Sequence, residues 1–265
     1  MTTPLPAEAL IERDRPATTG GNGGAAPPGP AAGPDWRIPP ALRQQIMETL
    51  ERPPRLTYEE FLDWADEDTL AEWVNGEVIM TSPASNRHQD LTRFLTTVLG
   101  TFVEVHDLGT IRPVPFQMKL EHGREPDLLF VAQEHMSRLR RSYLAGPADL
   151  VIEILSPESA GRDRGEKFYE YAQGGVPEYW LIDPETRWAE FYHLVEGRHR
   201  LAFEGRAGEY HAVVLPGFWL RVEWLWQEPL PATDAILLEI GGVAYVRRQL
   251  ALIRERGLWP EGAGG

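Results

Sequence analysis

The chain has 265 residues, 42% of them hydrophobic, which supports a real core and favours one compact domain with tails over a disordered polymer. It contains no cysteine, so disulfides and thiolate zinc sites are excluded and any metal must be held by carboxylates, histidines, carbonyls or water. The formal net charge of -14 excludes a general basic footprint for nucleic acid. No apolar run approaches the roughly 20 residues that span a bilayer, and the N-terminus lacks the apolar core of a signal peptide, so we expect a cytoplasmic protein without membrane contact.

The N-terminal region is dominated by glycine, proline and alanine, as in GGNGGAAPPGPAAGP. Such a composition buries too little apolar area to offset the entropy of ordering, so residues 1–40 are predicted to be a disordered tail. PPALRQQIMETLERPP predicts a short helix ended by its second proline pair. LTYEEFLDWADED predicts a second helix, with Thr57 as its N-cap and Glu60 as the capping-box partner.

The middle of the chain alternates strand and helix patterns. AEWVNGEVIMTSP predicts a turn at Asn75–Gly76 leading into a strand. The next segment predicts a long amphipathic helix, because its apolar residues recur at helical spacing. They are Leu91, Leu95, Val98 and Phe102. PVPFQMKLEHG, EPDLLFVAQ and ADLVIEIL then predict three neighbouring strands at the centre of a sheet.

The C-terminal third predicts a helix and then antiparallel strands. Asp163 is the predicted cap of a helix that runs through Gln173 and ends at Gly174 and Gly175. EYWLID, RWAEFYHLVEG and HRLAFEG read as strands joined by tight turns. LPGFWLRVEWLW is interpreted as a strand covering the core, the alternative being a surface on which bases stack. LLEIGGVAYVRRQLALIRERGLW predicts a final amphipathic helix, a candidate for pairing in a homodimer.

Two carboxylates lie in or beside short apolar strands. Asp127 stands in EPDLLFV and Glu153 in LVIEIL, where desolvating a lone carboxylate would cost several kcal/mol. A shared hard cation would remove this objection, with the Ile154 carbonyl and waters filling an octahedral shell, which points to Mg²⁺ or Mn²⁺. Lys167, on the following helix, can stabilise hydroxide or a developing phosphate charge. The plain alternative is that these are ordinary solvated groups.

Several segments together resemble the Uma-two restriction endonuclease family, part of the PD-(D/E)XK nuclease superfamily. They are NGEVIMTSPASNRH, EPDLLFV, PADLVIEILSPES and DRGEKFYEYAQGGVPEYWLIDP, and the resemblance runs from Leu56 to Trp226. It implies an α/β fold with a restriction endonuclease-like core, in which a central mixed β-sheet is flanked by helices. The implied domain spans residues 41–228, followed by a helical extension at 229–265.

The resemblance also implies roles for individual residues. Asp127 matches the motif aspartate and Glu153 the second acidic ligand. The superfamily places a lysine two positions after that acid, where this chain has Leu155, and Lys167 resembles a lysine displaced to the next helix. By the same resemblance Glu77 would be a further metal or water ligand and His88 would contact phosphate or orient a water.

The resulting hypothesis is a metal-dependent endonuclease acting on DNA. The acidic net charge is the main objection, which two basic segments, SRLRRSY and GRDRGEK, would soften if they flank the cleft. One alternative is a catalytically silent module of the same fold that binds protein or nucleic acid, consistent with Leu155. A two-carboxylate glycosidase ranks last because it leaves Lys167 unexplained.

Overall fold

A computed structural model describes residues 55–65, 69–80 and 84–258 of the chain. The predicted disorder of residues 1–40 and the predicted helix in PPALRQQIMETLERPP lie outside these residues. The helices are α1 (Tyr58–Trp64), α2 (Asn86–Val105), α3 (Ala160–Asp163), α4 (Glu166–Gly174), α5 (Thr233–Ile240) and α6 (Gly242–Glu255), with 3₁₀ turns at Gln133–Arg138 and Val222–Trp226. No helix in this part of the chain is long and apolar enough to cross a membrane.

Thirteen strands occur in the described residues. They are β1 (Ala71–Val74), β2 (Glu77–Met80), β3 (Gly109–Pro113), β4 (Gln117–Lys119), β5 (Gly123–Arg124), β6 (Leu128–Ala132), β7 (Tyr143–Ala145), β8 (Leu150–Ile154), β9 (Glu178–Asp183), β10 (Trp188–Val195), β11 (Arg198–Gly205), β12 (Glu209–His211) and β13 (Trp219–Arg221). They form a six-stranded sheet in the order β11-β10-β9-β8-β6-β3, a five-stranded sheet in the order β2-β1-β5-β4-β7, and the pair β12-β13.

The six-stranded sheet is mixed, as the predicted fold class requires. Strand β8 lies at its centre, parallel to β9 and antiparallel to β6. The late strands β9, β10 and β11 are joined antiparallel, also as predicted. Side chains that alternate along β8 enter two separate hydrophobic cores, Leu150 and Ile152 on one face and Val151 on the other.

One face of this sheet is covered mainly by the long helix α2, whose four predicted apolar positions are all buried. Ser85 caps α2, its hydroxyl accepting a hydrogen bond from the His88 N–H at 3.2 Å. Helices α5 and α6 contribute Ile236, Leu237 and Tyr245 to the same core. The opposite face packs against α4 and against residues of the five-stranded sheet such as Met118 and Leu144.

Local predictions near the N-terminal side of the fold are confirmed. Thr57 caps α1 in a capping box with Glu60. Asn75 and Gly76 both have positive φ, +52° and +86°, the conformation that a two-residue hairpin turn between β1 and β2 requires.

Three local predictions are wrong. The strand in PVPFQMKLEHG is β4, which lies in the five-stranded sheet, while β6 and β8 are neighbours in the six-stranded one. The predicted cap Asp163 instead ends the short helix α3 as a buried residue, and Gly165 precedes α4. The C-terminal helix is broken at Gly241–Gly242, where Gly242 has a φ of +53°.

The tryptophan-rich stretch takes its predicted structural role. It contains β13 and a 3₁₀ turn, with Trp224 buried and Trp219 and Trp226 half-buried against the core.

A buried carboxylate connects this region to the central sheet. Glu178, at the start of β9, is fully buried and accepts hydrogen bonds from four donors. They are Trp180 Nε1 at 2.7 Å, Tyr210 Oη at 2.6 Å, and the Val213 and Val214 N–H groups at 2.9 and 3.0 Å. These four bonds satisfy the carboxylate without an ion partner, so Glu178 fixes the 213–214 loop against the sheet.

Candidate active site

The strand register brings the two predicted metal ligands together. In the β6–β8 ladder Leu128 lies opposite Ile152. One further step of this antiparallel register places Asp127 opposite Glu153 on the same face of the sheet, where opposed side chains are close neighbours. The Ile154 N–H donates to Asp127 Oδ2 at 2.7 Å, which ties the end of one strand to the other.

Four of the five predicted site residues line one cavity. Asp127, Glu153, Lys167 and His88 surround a cavity of about 470 Å³ at the carboxyl end of β8. Glu77 does not reach it, because this residue follows the hairpin turn with an exposed side chain.

A carboxylate that the sequence analysis did not select lies at the site instead of Glu77. Glu72, five residues earlier on β1, is 1% exposed and lines the cavity. It stands in LAEWV, an acidic residue within an apolar strand pattern, which is the signal that drew attention to Glu153. Glu125 also lines the cavity, and burial followed by the nearby charge of Glu72 raises the pKa of Glu125 to about 7.

Lys167 is the centre of a buried ionic cluster. Its Nζ lies 2.9 Å from Glu72 Oε1, 3.0 Å from Glu153 Oε1 and 3.1 Å from Asp163 Oδ1. Burial alone would lower the pKa of Lys167, but the three carboxylates outweigh it and hold the pKa well above its usual range. The chain has only one other lysine, Lys119.

The lysine lies on α4, as predicted, and reaches Glu153 from the face of the sheet that α4 covers. Tyr171, one turn further along α4, donates its hydroxyl to the same Glu153 Oε1 at 2.9 Å. Burial raises the pKa of Glu153, and the hydrogen bonds from Lys167 and Tyr171 both go to Oε1. Among the described residues, Glu153 Oε2 has no hydrogen-bond donor.

A second ionic link extends the cluster through Arg124. This guanidinium is 1% exposed, with Nη1 3.1 Å from Glu72 Oε2 and Nε 2.8 Å from Glu170 Oε2. Burial alone would raise the pKa of Glu72, yet Lys167 and Arg124 together lower it, so Glu72 is a carboxylate at neutral pH. Arg124 therefore fixes the orientation of Glu72 in the cavity wall.

His88 is held against the motif aspartate. Its Nε2 lies 3.1 Å from Asp127 Oδ1, and Thr92 Oγ1 lies 3.4 Å from its Nδ1. Burial would lower the pKa of His88, but the hydrogen bond and charge of Asp127 raise it. The imidazole thus orients one oxygen of Asp127 while Ile154 holds the other.

The two basic segments divide between the site and the surface. Arg162 lines the cavity, and its buried Nε has no hydrogen-bond partner in the part of the chain that the structure describes. Arg164 is instead bound to Glu190 at 2.8 Å on the surface. Arg138 donates to the Pro147 carbonyl.

Comparison with known proteins identifies the family to which this chain belongs. The Uma2 family model, described as "Putative restriction endonuclease", matches residues 58–223. This chain belongs to the Uma2 family. All the cavity residues named above lie within the matched segment.

Two relatives and one solved structure are similar to part of this chain. The uncharacterized proteins sll1609 and slr1290 of Synechocystis sp. are 30% and 25% identical over 156 and 144 residues, covering 56% and 53% of this chain and 86% and 75% of their own lengths. A crystal structure of a putative nuclease belonging to DUF820 from Anabaena variabilis superposes with a TM-score of 0.55 at 18% identity, covering 64% of this chain and 97% of that one. At that identity the likeness shows a shared fold.

Proposed function

We propose that this Uma2 protein is a divalent-metal-dependent endonuclease that hydrolyses phosphodiester bonds in DNA. The observation that carries the proposal is the convergence of Asp127, Glu153 and Lys167, which come from three separate segments of the chain, on one cavity of a fold shared with a protein described as a "putative nuclease". The family description points to the same chemistry. It lends nothing to the glycosidase alternative.

The donor set fits a hard cation. Asp127 is oriented by Ile154 and His88, and Glu153 Oε2 has no donor among the described residues. Carboxylate oxygens are the ligands that Mg²⁺ and Mn²⁺ prefer.

The proposed ion would have two protein carboxylate ligands. Within the described residues no group of three or more His, Asp or Glu side chains is arranged to hold a metal. Asp127 and Glu153 would therefore supply two ligands and leave the remaining positions to carbonyl and water, as Mg²⁺ commonly prefers. When bound there, such an ion supplies an activated water and neutralises charge on the scissile phosphate.

The chain's own residues have separate proposed roles. Asp127 and Glu153 hold the ion, and His88 and the Ile154 N–H keep Asp127 in place. Lys167 stabilises the negative charge that develops on the phosphate, and Arg162, whose buried Nε has no partner among the described residues, binds a non-bridging phosphate oxygen. Cytoplasmic location and pairing as a homodimer stay predictions of the sequence.

One observation favours the catalytically silent alternative. Three carboxylates already lie within 3.1 Å of the Lys167 ammonium, so a phosphate must displace one of them to receive a hydrogen bond. A divalent cation that draws Glu153 or Glu72 away from Nζ would release the lysine. In the catalytically silent alternative no cation takes a carboxylate from Lys167, and the ammonium stays bound to all three carboxylates.

The test is cleavage of supercoiled plasmid with Mg²⁺, with Mn²⁺ and with a chelator. Wild type should nick and linearise the plasmid with either ion, and Asp127→Asn and Glu153→Gln should abolish cleavage because each removes a ligand charge. Glu77→Gln is the matched control, an equivalent change at an exposed carboxylate outside the cavity, and should cleave as wild type does. Cleavage that persists in both ligand variants, or none in wild type, would refute the proposal.

A second pair of variants tests phosphate binding. Arg162→Gln should reduce the cleavage rate by roughly 10–100-fold, the range for losing one hydrogen bond to a charged group in a site. Arg164→Gln, two residues away but paired with Glu190 on the surface, should change it less than threefold. Equal effects of the two variants would remove Arg162 from the mechanism.

A further inference from the structure

A second cavity adjoins the candidate active site. It has a volume of about 680 Å³ and shares Glu125 as a wall with the first cavity. At two other places, consecutive residues line the two cavities: Leu70 the first and Thr69 the second, and Val114 the first and Pro115 the second. The two cavities are therefore neighbours that share Glu125 as a wall.

The second cavity has a different chemical character from the first. Its lining includes Phe61, Phe116 and Pro115, with Arg141 at an exposed position. Arg141 belongs to the basic segment SRLRRSY. The lining also includes the carboxylates of Asp63 and Glu125, so the feature that matches a nucleobase is the aromatic and apolar part of the wall, and Arg141 is the side chain that matches a phosphate.

Large apolar side chains are exposed around both cavities. Trp64 is 52% exposed, lies in sequence between two residues that line the second cavity, and packs its ring on Phe61 at 6.2 Å between centroids. Met80, 60% exposed, lines the first cavity. An exposed tryptophan ring beside a cavity offers a stacking platform to any base.

The depth of the catalytic groups favours a flexible strand over an intact duplex. Glu153 is only 4% exposed, and the side chain of Asp127 is 15% exposed. A phosphate must enter the cavity to reach them. A single strand can bring a phosphate into the cavity with its bases turned outward, whereas a duplex would first have to break base pairs. With a net charge of -14, the protein also lacks the broad excess of basic residues on which duplex binding depends.

We infer that the Trp64–Met80 rim and the second cavity bind unpaired bases, so that the substrate class is single-stranded DNA or a single-stranded segment within a duplex. This inference rests on the proposed nuclease function, because it names the substrate of that activity. The binding itself can be measured without cleavage. The stacking surface considered for LPGFWLRVEWLW is thus assigned to a different part of the chain.

The experiment is fluorescence anisotropy of labelled DNA in the presence of a chelator, so that no cleavage occurs. The probes are an oligothymidylate of roughly 20 nucleotides and a blunt duplex of the same length. Wild type should bind the single strand at least about tenfold more tightly than the duplex, since stacking on one aromatic ring is worth roughly that factor. Equal or tighter duplex binding would overturn the inference.

Variants locate the binding surface. Trp64→Ala and Met80→Ala should each weaken single-strand binding, Trp64→Ala by roughly tenfold, and Trp64→Phe should retain most of the affinity because it keeps a stacking ring. Tyr169→Ala, the matched control, removes an aromatic side chain that is 72% exposed on α4 and should change nothing. Unchanged affinity in both Trp64→Ala and Met80→Ala would refute the assignment.

Salt dependence supplies an independent readout. If Arg141 contacts one phosphate of the bound strand, Arg141→Gln should reduce the slope of log affinity against log salt by about 0.7. An unchanged slope would remove Arg141 from the proposed surface.

The outcomes separate the two proposals. Preferential single-strand binding without any metal-dependent cleavage refutes the endonuclease alone. Metal-dependent cleavage by a protein that prefers duplex refutes the unpaired-base inference alone.

Discussion

Replacing Lys167 with methionine tests whether the buried cluster is held together by this one ammonium. The substitution leaves Glu72, Glu153 and Asp163 facing one another with no lysine between them, while all three are nearly inaccessible to water. Removing one partner from a buried ion pair typically destabilises a protein by about 3–5 kcal/mol. For a folded unit of this size that corresponds to a fall in melting temperature of roughly 6–20 °C.

The assay is thermal unfolding followed by circular dichroism, with a double-mutant cycle. If uncompensated negative charge causes the loss, adding Glu153→Gln to Lys167→Met should restore about 1–3 kcal/mol, because one of the three repelling charges is gone. Lys119→Met is the matched control. Lys119 lies over the rings of Tyr58 and Trp73 outside the cluster, and its loss should cost about 1 kcal/mol or less.

Two results would refute this reasoning. Purely additive effects of Lys167→Met and Glu153→Gln would mean that the charges do not interact as their distances require. A Lys167→Met variant as stable as wild type would mean that the carboxylates are protonated or hydrated, and that the lysine does not hold the site closed.

Three further predictions concern other parts of the chain. Glu178→Ala should lower the free energy of unfolding by about 3 kcal/mol in denaturant titration, because it removes the acceptor of four hydrogen bonds, two of them from the buried side chains of Trp180 and Tyr210; a loss under 1 kcal/mol would contradict this. Burial lowers the pKa of His199, whose Nε2 lies 2.9 Å from the Val176 carbonyl, so the unfolded chain takes up this proton more readily than the folded one. Stability should therefore fall as the pH drops below about 6.5, and His199→Gln should make this fall shallower, whereas identical pH profiles would contradict it. Mg²⁺ should tighten binding of a hydrolysis-resistant phosphorothioate oligonucleotide to wild type but not to Asp127→Asn, as measured by anisotropy; equal tightening would place the ion elsewhere.

The site residues on β8 and α4 could be predicted because local pattern and strand register agree. An acidic residue inside VIEIL alternates onto a buried face in any sheet, and α4 follows closely enough in sequence to return to it. The placement of Glu153 and Lys167 in one cavity follows from those two facts. The glycines at 174 and 175 likewise marked the end of α4 by themselves.

The choice between Glu72 and Glu77 could not be made from the sequence. Both flank the same Asn75–Gly76 turn, and the register pairs Glu77 with Val74 and Glu72 with Ile79, so their side chains lie on the same face of the hairpin. Which of the two is buried depends on Arg124, some fifty residues later, whose guanidinium pairs with Glu72. Asp163 was misplaced because a capping aspartate and a buried aspartate look alike in the sequence, and only the structure shows that Asp163 is buried beside Lys167, four residues later.

An acidic protein that is proposed to act on DNA must overcome the negative charge of its own cavity. The carboxylates of Glu72, Glu153 and Asp127 outnumber Lys167 at the cavity, so a phosphate approaching it alone meets net repulsion. A divalent ion held by Asp127 and Glu153, as proposed, would reverse that balance where the reaction would occur. The affinity that remains in its absence must come from groups outside the cavity. The exposed Trp64 ring meets that need through stacking, which does not depend on the sign of the surface charge.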